Sequence, residues 1–354
     1  MSRHRVSVLV PNFNGAAYLR RCLDSILAQS FVDWHVVVGD NDSSDDSRSI
    51  VQAIEDPRVQ LVRRPRTIGW VSNVNLLLAE ARGDYVAILH SDDWWEPEFL
   101  STMVALLDRF PKALMGSCAT RLVEEGRLPR LSCIERPGPP IDSYCLTSAD
   151  ALQLQVYSNA FYAPSVLARA RLYEIFPRFE EQLPLEGDWL MWLRVASAGD
   201  IAICSKALAN YLIHDSSMGA GAYRANLWAA DIIKMHALVL QEWAASEPFP
   251  GARDRFSASM ARELIGLAYR ATQRGDRAGA ILQIRLARAI APSWRERAVG
   301  IAAGIYALMF SSPFARRATP PLRGLTRRVA RYLVRPAGKN QPISADVTPE
   351  NWSI

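Results

Sequence analysis

The sequence predicts an α/β fold, a mixed and mainly parallel sheet covered by helices, with a helical C-terminal extension. Three observations carry that expectation. Up to residue 123, short apolar runs alternate with stretches whose apolar residues recur at helical spacing. Two of those runs end in aspartates, at Asp40 and at Asp92-Asp93. After about residue 222 the strand pattern stops and only helical periodicity remains. Strands joined by single helices imply parallel β-α-β units with both faces covered. Ligands bind such sheets beyond the carboxyl ends of their strands.

The elements follow in order. RVSVLV (5–10) reads as a strand, and GAAYLRRCLDSILAQS as a helix with Leu19, Cys22, Leu23, Ile26 and Leu27 on one face. WHVVVGD (34–40) is a second strand, and SSDDSRSIVQAIED a helix begun by Ser and Asp caps. VQLVRR (59–64) is a third strand, GWVSNVNLLLAEARG a helix closed by Gly83, and DYVAILH a fourth strand. PEFLSTMVALLDRFP is a helix with a proline near each end, and ALMGSCATRLV a further strand. RPGPPIDSY (136–144) reads as a loop, 183–200 as an apolar helix, and 201–219 as strand-like, ending near His214. Helices are expected over 222–246, 255–274 and 277–290, the last pair resembling one tetratricopeptide-type hairpin.

Composition narrows the class. With 49% hydrophobic and 22% charged residues, the 354-residue chain can bury a core, and global disorder is excluded. Its five scattered cysteines form no CxxC pair, which points to reduced thiols rather than a disulfide frame or a zinc site. The N-terminal residues lack a secretory h-region, so a cytoplasmic protein is expected. The net charge of +5 is uneven: residues 1–220 sum to −6 and residues 221–354 to +11. No nucleic-acid-binding signature accompanies the basic third, so an anionic membrane surface ranks ahead of nucleic acid.

Three motifs bear on chemistry: VSVLVPNFNGAAYLRRCLDSILAQSF, VVVGDNDSSDDS and ARGDYVAILHSDDWWEP. Adjacent carboxylates repel each other, and a diphosphate would add to the repulsion, unless a divalent cation sits between them. In order and spacing the three motifs resemble the opening of a family 2 glycosyltransferase of the GT-A fold, of the bacterial surface-polysaccharide type. The resemblance covers about residues 5–220. It implies an inverting, metal-dependent enzyme that moves a sugar from a nucleoside-diphosphate sugar, with UDP or dTDP favoured, to a saccharide or lipid-linked acceptor.

Residue by residue, the resemblance implies that Pro11, Asn12 and Asn14 border the nucleotide and that Asp40 contacts its base or ribose. Gly69, Asn73, Ser91 and Asp92 would complete the donor site, and Asp92, Asp93 and His214 would hold Mn²⁺ or Mg²⁺. Asp188 matches the catalytic base, which takes the acceptor's proton. Three positions depart from the family pattern: His90 stands where an acid is usual, Gly187 replaces the first acid of a pair, and Leu212 replaces an arginine. His90, Glu186 and Trp189 are therefore secondary candidates, as a metal or phosphate ligand, a displaced second acid and a sugar-facing ring. Several of these residues also have plain structural readings: Asp40, Asp188 and one of Asp92 and Asp93 as helix caps, His90 as a packed residue, and Trp189 as part of a core stripe.

The expected domain boundaries are 1–220 for the transferase, 221–297 for a helical extension, 298–336 for apolar and basic helices, and 337–354 for a disordered tail. Residues 298–310 are too few to span a bilayer, which needs ~20. Between 316 and 335 seven arginines occur without an acid, which suits either an amphipathic helix on the inner face of the membrane or a helix packed on the core with a solvated basic face. Two rival functions stand beside the transferase. One is a non-catalytic sugar-nucleotide-binding or scaffold paralogue, suggested by the three departures. The other is a nucleotidyltransferase, disfavoured because no Lys or Arg follows the first strand before Arg20.

Overall fold

The structure is a computed structural model that describes residues 4–134, 142–224 and 227–293. The described chain divides into two compact units, one ending at Ser217 and the other starting at Met218. The runs at 298–310 and 316–335 and the tail from 337 lie outside the described residues. Among the described residues no helix is long and apolar enough to cross a membrane.

The first unit is built on one sheet whose strands lie, in spatial order, at Val59–Arg63, Trp34–Asp40, Val6–Asn12, Tyr85–Ile88, Val166–Arg169, Met115–Glu124, Ile201–Ile213 and Trp94–Trp95. Its parallel half comprises β1 (Val6–Asn12), β2 (Trp34–Asp40), β3 (Val59–Arg63) and β4 (Tyr85–Ile88). All seven residues of β1 are buried, as the interior strand of a sheet covered on both faces requires. The edge strand β3 has only half-buried and exposed residues. Helices α1 (Ala16–Leu27), α2 (Ser47–Gln52) and α3 (Trp70–Leu78) make the crossovers. On α1 the buried positions are Leu19, Cys22, Leu23 and Ile26, the face that the spacing predicts, with Leu27 partly buried beside them.

Beyond β4 the sheet becomes mixed. After β5 (Trp94–Trp95) and α4 (Phe99–Arg109) come β6 (Met115–Glu124), β7 (Arg130–Ser132), β8 (Ser143–Leu146) and α5 (Ser148–Tyr157). Then β9 (Val166–Arg169) inserts antiparallel between β4 and β6, and α6 (Ala170–Ile175) and α7 (Gly187–Ala198) follow it. The long β10 (Ile201–Ile213) pairs parallel with β6 and antiparallel with β5 and β8. Periodicity did not single out α5, β9 or α6, each ten residues or shorter and placed by long-range partners. One boundary differs from expectation, since β8 occupies part of the expected loop at 136–144, while the strand from 201 ends at Ile213, one residue before the expected His214.

The second unit holds α8 (Met218–Arg224), α9 (Trp228–Glu242), α10 (Ala252–Arg274) and α11 (Arg277–Ile290). The expected helix over 222–246 is thus two helices. Ala268, Ala271, Ala280 and Ile284 form the core between α10 and α11. Small side chains let the two helices approach closely, and Gly275 turns the chain between them with φ 83°. The Asp276 carboxylate caps α11 by accepting from the Gly279 amide at 2.9 Å.

Candidate active site

β1, β2 and β4 are adjacent and parallel, with Asn12 opposite Asp40 in register, so the loops that follow them meet at one edge. The loops after β1 and β2 are stapled together. The Ser43 hydroxyl accepts from the Asn14 amide at 2.9 Å, and the Asn14 carbonyl oxygen of the side chain accepts from the Ser44 amide at 2.9 Å. Asp45 accepts from the Ala16 amide at 2.9 Å at the start of α1. A Cβ at Gly15 would collide with the side chains of Asn12 and Ser91, so this loop can lie against the loop after β4 only with glycine there.

Asp40 ends β2 with 1% of its surface exposed, and its own chain satisfies it. Oδ2 accepts from Arg48 Nε at 2.7 Å and from the Ser43 amide at 3.3 Å, while Oδ1 accepts from Asn12 Nδ2 at 3.3 Å. Burial alone would raise its pKa, but the hydrogen bonds from Ser43 and Arg48 outweigh burial and hold it below the usual 3.8.

The acids after β4 stand in a different environment. Asp92 is partly exposed, and its Oδ2 meets His214 Nε2 at 3.0 Å. Burial pushes its pKa up, yet the bond to His214 and the field of His90 bring it below 3.8. Asp93 is fully buried: Oδ1 accepts from the Leu212 amide on β10 at 2.9 Å, and Oδ2 has no hydrogen-bond partner among the described residues. Desolvation first, and the charge of Asp92 second, push its carboxyl well above 3.8. One ligand atom from each of His90, Asp92 and Asp93 can be chosen so that all three lie within 4.8 Å of one another. Two carboxylates and an imidazole could hold a divalent cation, which would supply the charge that Asp93 lacks.

Asp188 lies in the first turn of α7 and lines a small cavity with Trp70, His90, Tyr173, Phe179 and Trp192. Burial raises its pKa above 3.8, against hydrogen bonds from the Trp189 amide and from Asn159. A carboxylate so raised is a stronger base than an exposed aspartate. His90 borders both this cavity and the acid cluster, and the edge of its ring packs against Trp70 at 5.6 Å between centroids.

The remaining candidates fall into two groups. Pro11 and Asn12 end β1 beside β2, Ser91 faces Gly15, and Gly69 stands in the left-handed region at φ 73° at the start of α3, all at this edge. Asn73 instead turns inward as a brace. It is 1% exposed, donates to the Gly39 carbonyl at 2.7 Å and accepts from Arg64 Nε at 2.9 Å, so its side chain is held in the interior between β2 and Arg64. Trp189 packs in the core at 3% exposure with its indole on the Gln155 carbonyl, so the reading as a sugar-facing ring gives way to the core stripe. Glu186, 6% exposed, is the residue before α7. His214, expected as a ligand, has both ring nitrogens engaged, by Asp92 and by the Ser216 hydroxyl at 2.8 Å.

Sequence reasoning missed Trp70, Asn159, Arg21 and Tyr211. Arg21 lies over the Trp94 ring at 3.6 Å and donates to the Asp92 carbonyl at 3.1 Å. Tyr211 sits close enough to the acids for Asp93, Asp92 and Asp188 to add to the burial that raises its pKa. The phase of Arg21 on α1, one position before the buried Cys22, was the available signal for that residue.

The chain is similar to several known proteins. Succinoglycan biosynthesis protein ExoO of Rhizobium meliloti (strain 1021) is 27% identical over 97% of this chain and 92% of its own length. Several further curated relatives are matched over only 29% to 64% of their length. Among solved structures, S. aureus TarS 1–349 in complex with UDP-GlcNAc aligns with a TM-score of 0.63 at 18% identity, covering 86% of this chain and 89% of that one. The mannosyltransferase PcManGT from Pyrobaculum calidifontis, in complex with GDP-Man and Mn²⁺, aligns with a TM-score of 0.53 at 20% identity, covering 94% of this chain and 86% of that one. These likenesses show the expected GT-A fold. Residues 7–167, a little under half of the chain, match the profile described as Glycosyl transferase family 2, and all three motifs lie within that stretch.

Proposed function

We propose that the chain is an inverting glycosyltransferase that moves a sugar from a nucleoside diphosphate to an acceptor hydroxyl in the synthesis of a surface polysaccharide or glycolipid. One observation carries the reading. Two unlike acid sites stand on either side of His90: the cluster with the orphan Asp93 oxygen, and the cavity with Asp188. Such a division suits a reaction that must both hold an anionic leaving group and remove a proton.

Asp188 accepts the proton of the acceptor hydroxyl as its oxygen attacks the anomeric carbon, and the bond to the diphosphate breaks on the opposite face. A raised carboxyl pKa favours that proton transfer. Asp92 and Asp93 would hold a divalent cation, which supplies the positive charge needed beside a diphosphate. His214 aligns Asp92 through its hydrogen bond. The loops after β1 and β2 frame the nucleotide, and Arg48 must swing from Asp40 before that carboxylate can accept from a base or ribose.

The donor is proposed to be a UDP- or dTDP-sugar, in keeping with the UDP-GlcNAc bound by one structural relative, although another binds GDP-Man with Mn²⁺. The acceptor is proposed to be a saccharide or a lipid-linked saccharide. The polysaccharide pathway is supported by the relative named for succinoglycan biosynthesis. The basic run at 316–335 is, by its sequence, the proposed contact of a cytoplasmic enzyme with an anionic membrane.

Calorimetric titration of UDP-, dTDP- and GDP-sugars into the full chain, with Mn²⁺ or with EDTA, tests the reading. Metal-dependent binding of one nucleotide class supports it. Absence of binding under every condition favours a non-catalytic scaffold instead.

A further inference from the structure

We infer that His90, where the family pattern has an acid, is itself a nitrogen ligand and makes the site selective for Mn²⁺-class ions over Mg²⁺. The inference rests on the reading of Asp92 and Asp93 as metal ligands. Its starting point is Oδ2 of the fully buried Asp93, which has no hydrogen-bond partner among the described residues.

The two histidines beside the acid pair are not equivalent. His214 has both nitrogens occupied, Nε2 by Asp92 at 3.0 Å and Nδ1 by the Ser216 hydroxyl at 2.8 Å, and its ring packs on Tyr18 at 4.5 Å. That is the arrangement of a group that orients a ligand. His90 has no side-chain hydrogen bond among the described residues, and a ring nitrogen of it falls inside the 4.8 Å cluster with Asp92 and Asp93. Its ring orientation is set by Trp70 instead, and its carbonyl accepts from the Asp93 amide at 3.0 Å, so the short loop holds ring and carboxylates together.

Charge and softness then decide what the exchange of acid for imidazole does. Three carboxylates around a divalent cation would leave one net negative charge facing a diphosphate. Two carboxylates and a neutral imidazole leave none, so the donor meets less repulsion. Mg²⁺ prefers an all-oxygen shell, whereas imidazole suits the later divalent ions, and Mn²⁺ accepts both. The substitution therefore weakens Mg²⁺ binding more than Mn²⁺ binding.

The test uses Mn²⁺ itself as the probe, bound to the full chain and read by electron paramagnetic resonance. Loss of the free-ion signal gives occupancy, and electron spin echo modulation reports a directly bonded ¹⁴N. The wild type is expected to bind Mn²⁺ with ¹⁴N modulation. His90→Asp should bind it without modulation, and His214→Ala should keep the modulation. Mg²⁺ should displace Mn²⁺ from His90→Asp at about tenfold lower concentration than from the wild type. His90→Gln, which keeps the side chain's size and polarity, is the second variant should the aspartate version misfold, and it too should lose the modulation. Modulation that survives both His90 substitutions and vanishes in His214→Ala overturns the inference but leaves the metal site standing. Bound Mn²⁺ without modulation in the wild type does the same. A wild type that binds no Mn²⁺, with or without UDP, overturns both readings.

Discussion

Asp40 and Asp93 follow neighbouring parts of one parallel sheet, and both are almost without exposed surface, yet their surroundings are opposite. Asp40 receives Arg48, the Ser43 amide and Asn12, and its pKa falls. Asp93 receives one amide, faces Asp92, keeps one oxygen without a partner among the described residues, and its pKa rises. An acid completed by its own chain builds a loop. An acid left incomplete at a strand end costs stability, and that cost is offset when a cation arrives. The contrast leaves Asp40 braced within the loop after β2 and Asp93 as the acid of the loop after β4 whose proposed partner is a cation.

The largest expected effect lies on the incomplete side. Asp93→Asn should lower transfer by about 10²-fold or more and abolish Mn²⁺-dependent donor binding, because it removes a ligand charge. Without metal the same variant should unfold no more easily than the wild type, since a buried charge has gone. Equal Mn²⁺ affinity in titrations of the two proteins would end the contrast. Asp188→Asn should slow single-turnover transfer by about 10²–10⁴-fold and leave donor affinity in place. Because the Asp188 pKa is raised, the acid limb of its kcat/KM profile should lie above the 3.8 of an ordinary aspartate.

Much of this site is legible in the sequence, because it depends on position along the chain. Strand ends are visible where apolar runs stop, so the order of residues alone places Asp40, Asp92 and Asp93 at one edge of the sheet. The inward turn of Asn73 is not legible, since its partners Gly39 and Arg64 are fixed by how α3 packs under β2. Neither is the difference between the two histidines, which depends on a strand 122 residues away from Asp92.

Smaller effects test the completed side. Asp40→Asn should destabilise the fold by about 1–3 kcal/mol in denaturant unfolding, because Arg48 and the Ser43 amide lose a charged acceptor. Linkage gives the two acids opposite signs. The lowered pKa of Asp40 contributes stability present above 3.8 and lost as pH falls through its folded value. The raised pKa of Asp93 contributes stability present below 3.8 and lost as pH rises through its folded value. Unfolding curves in EDTA across this range should therefore show the Asp40→Asn difference shrinking towards acid. The Asp93→Asn difference should instead change in the variant's favour as pH rises, and parallel pH profiles would refute the opposition. The smallest effect belongs to Asp24→Asn, which removes an exposed i,i+4 pair with Arg20 and should alter stability by less than about 0.5 kcal/mol.

The sequence by itself determined the β-α-β alternation, the buried face of α1, the convergence of the acids and the change to helices near residue 222. These follow from local periodicity and from where apolar runs end, which neighbouring residues encode. Only the tertiary structure decided that β9 enters antiparallel between β4 and β6, that the Leu212 amide captures Asp93, and that His90 comes within 4.8 Å of both acids while His214 bonds Asp92. Those outcomes depend on pairings between residues far apart in the chain. Burial and the loss of water then assign the surrounding charges their opposite fates.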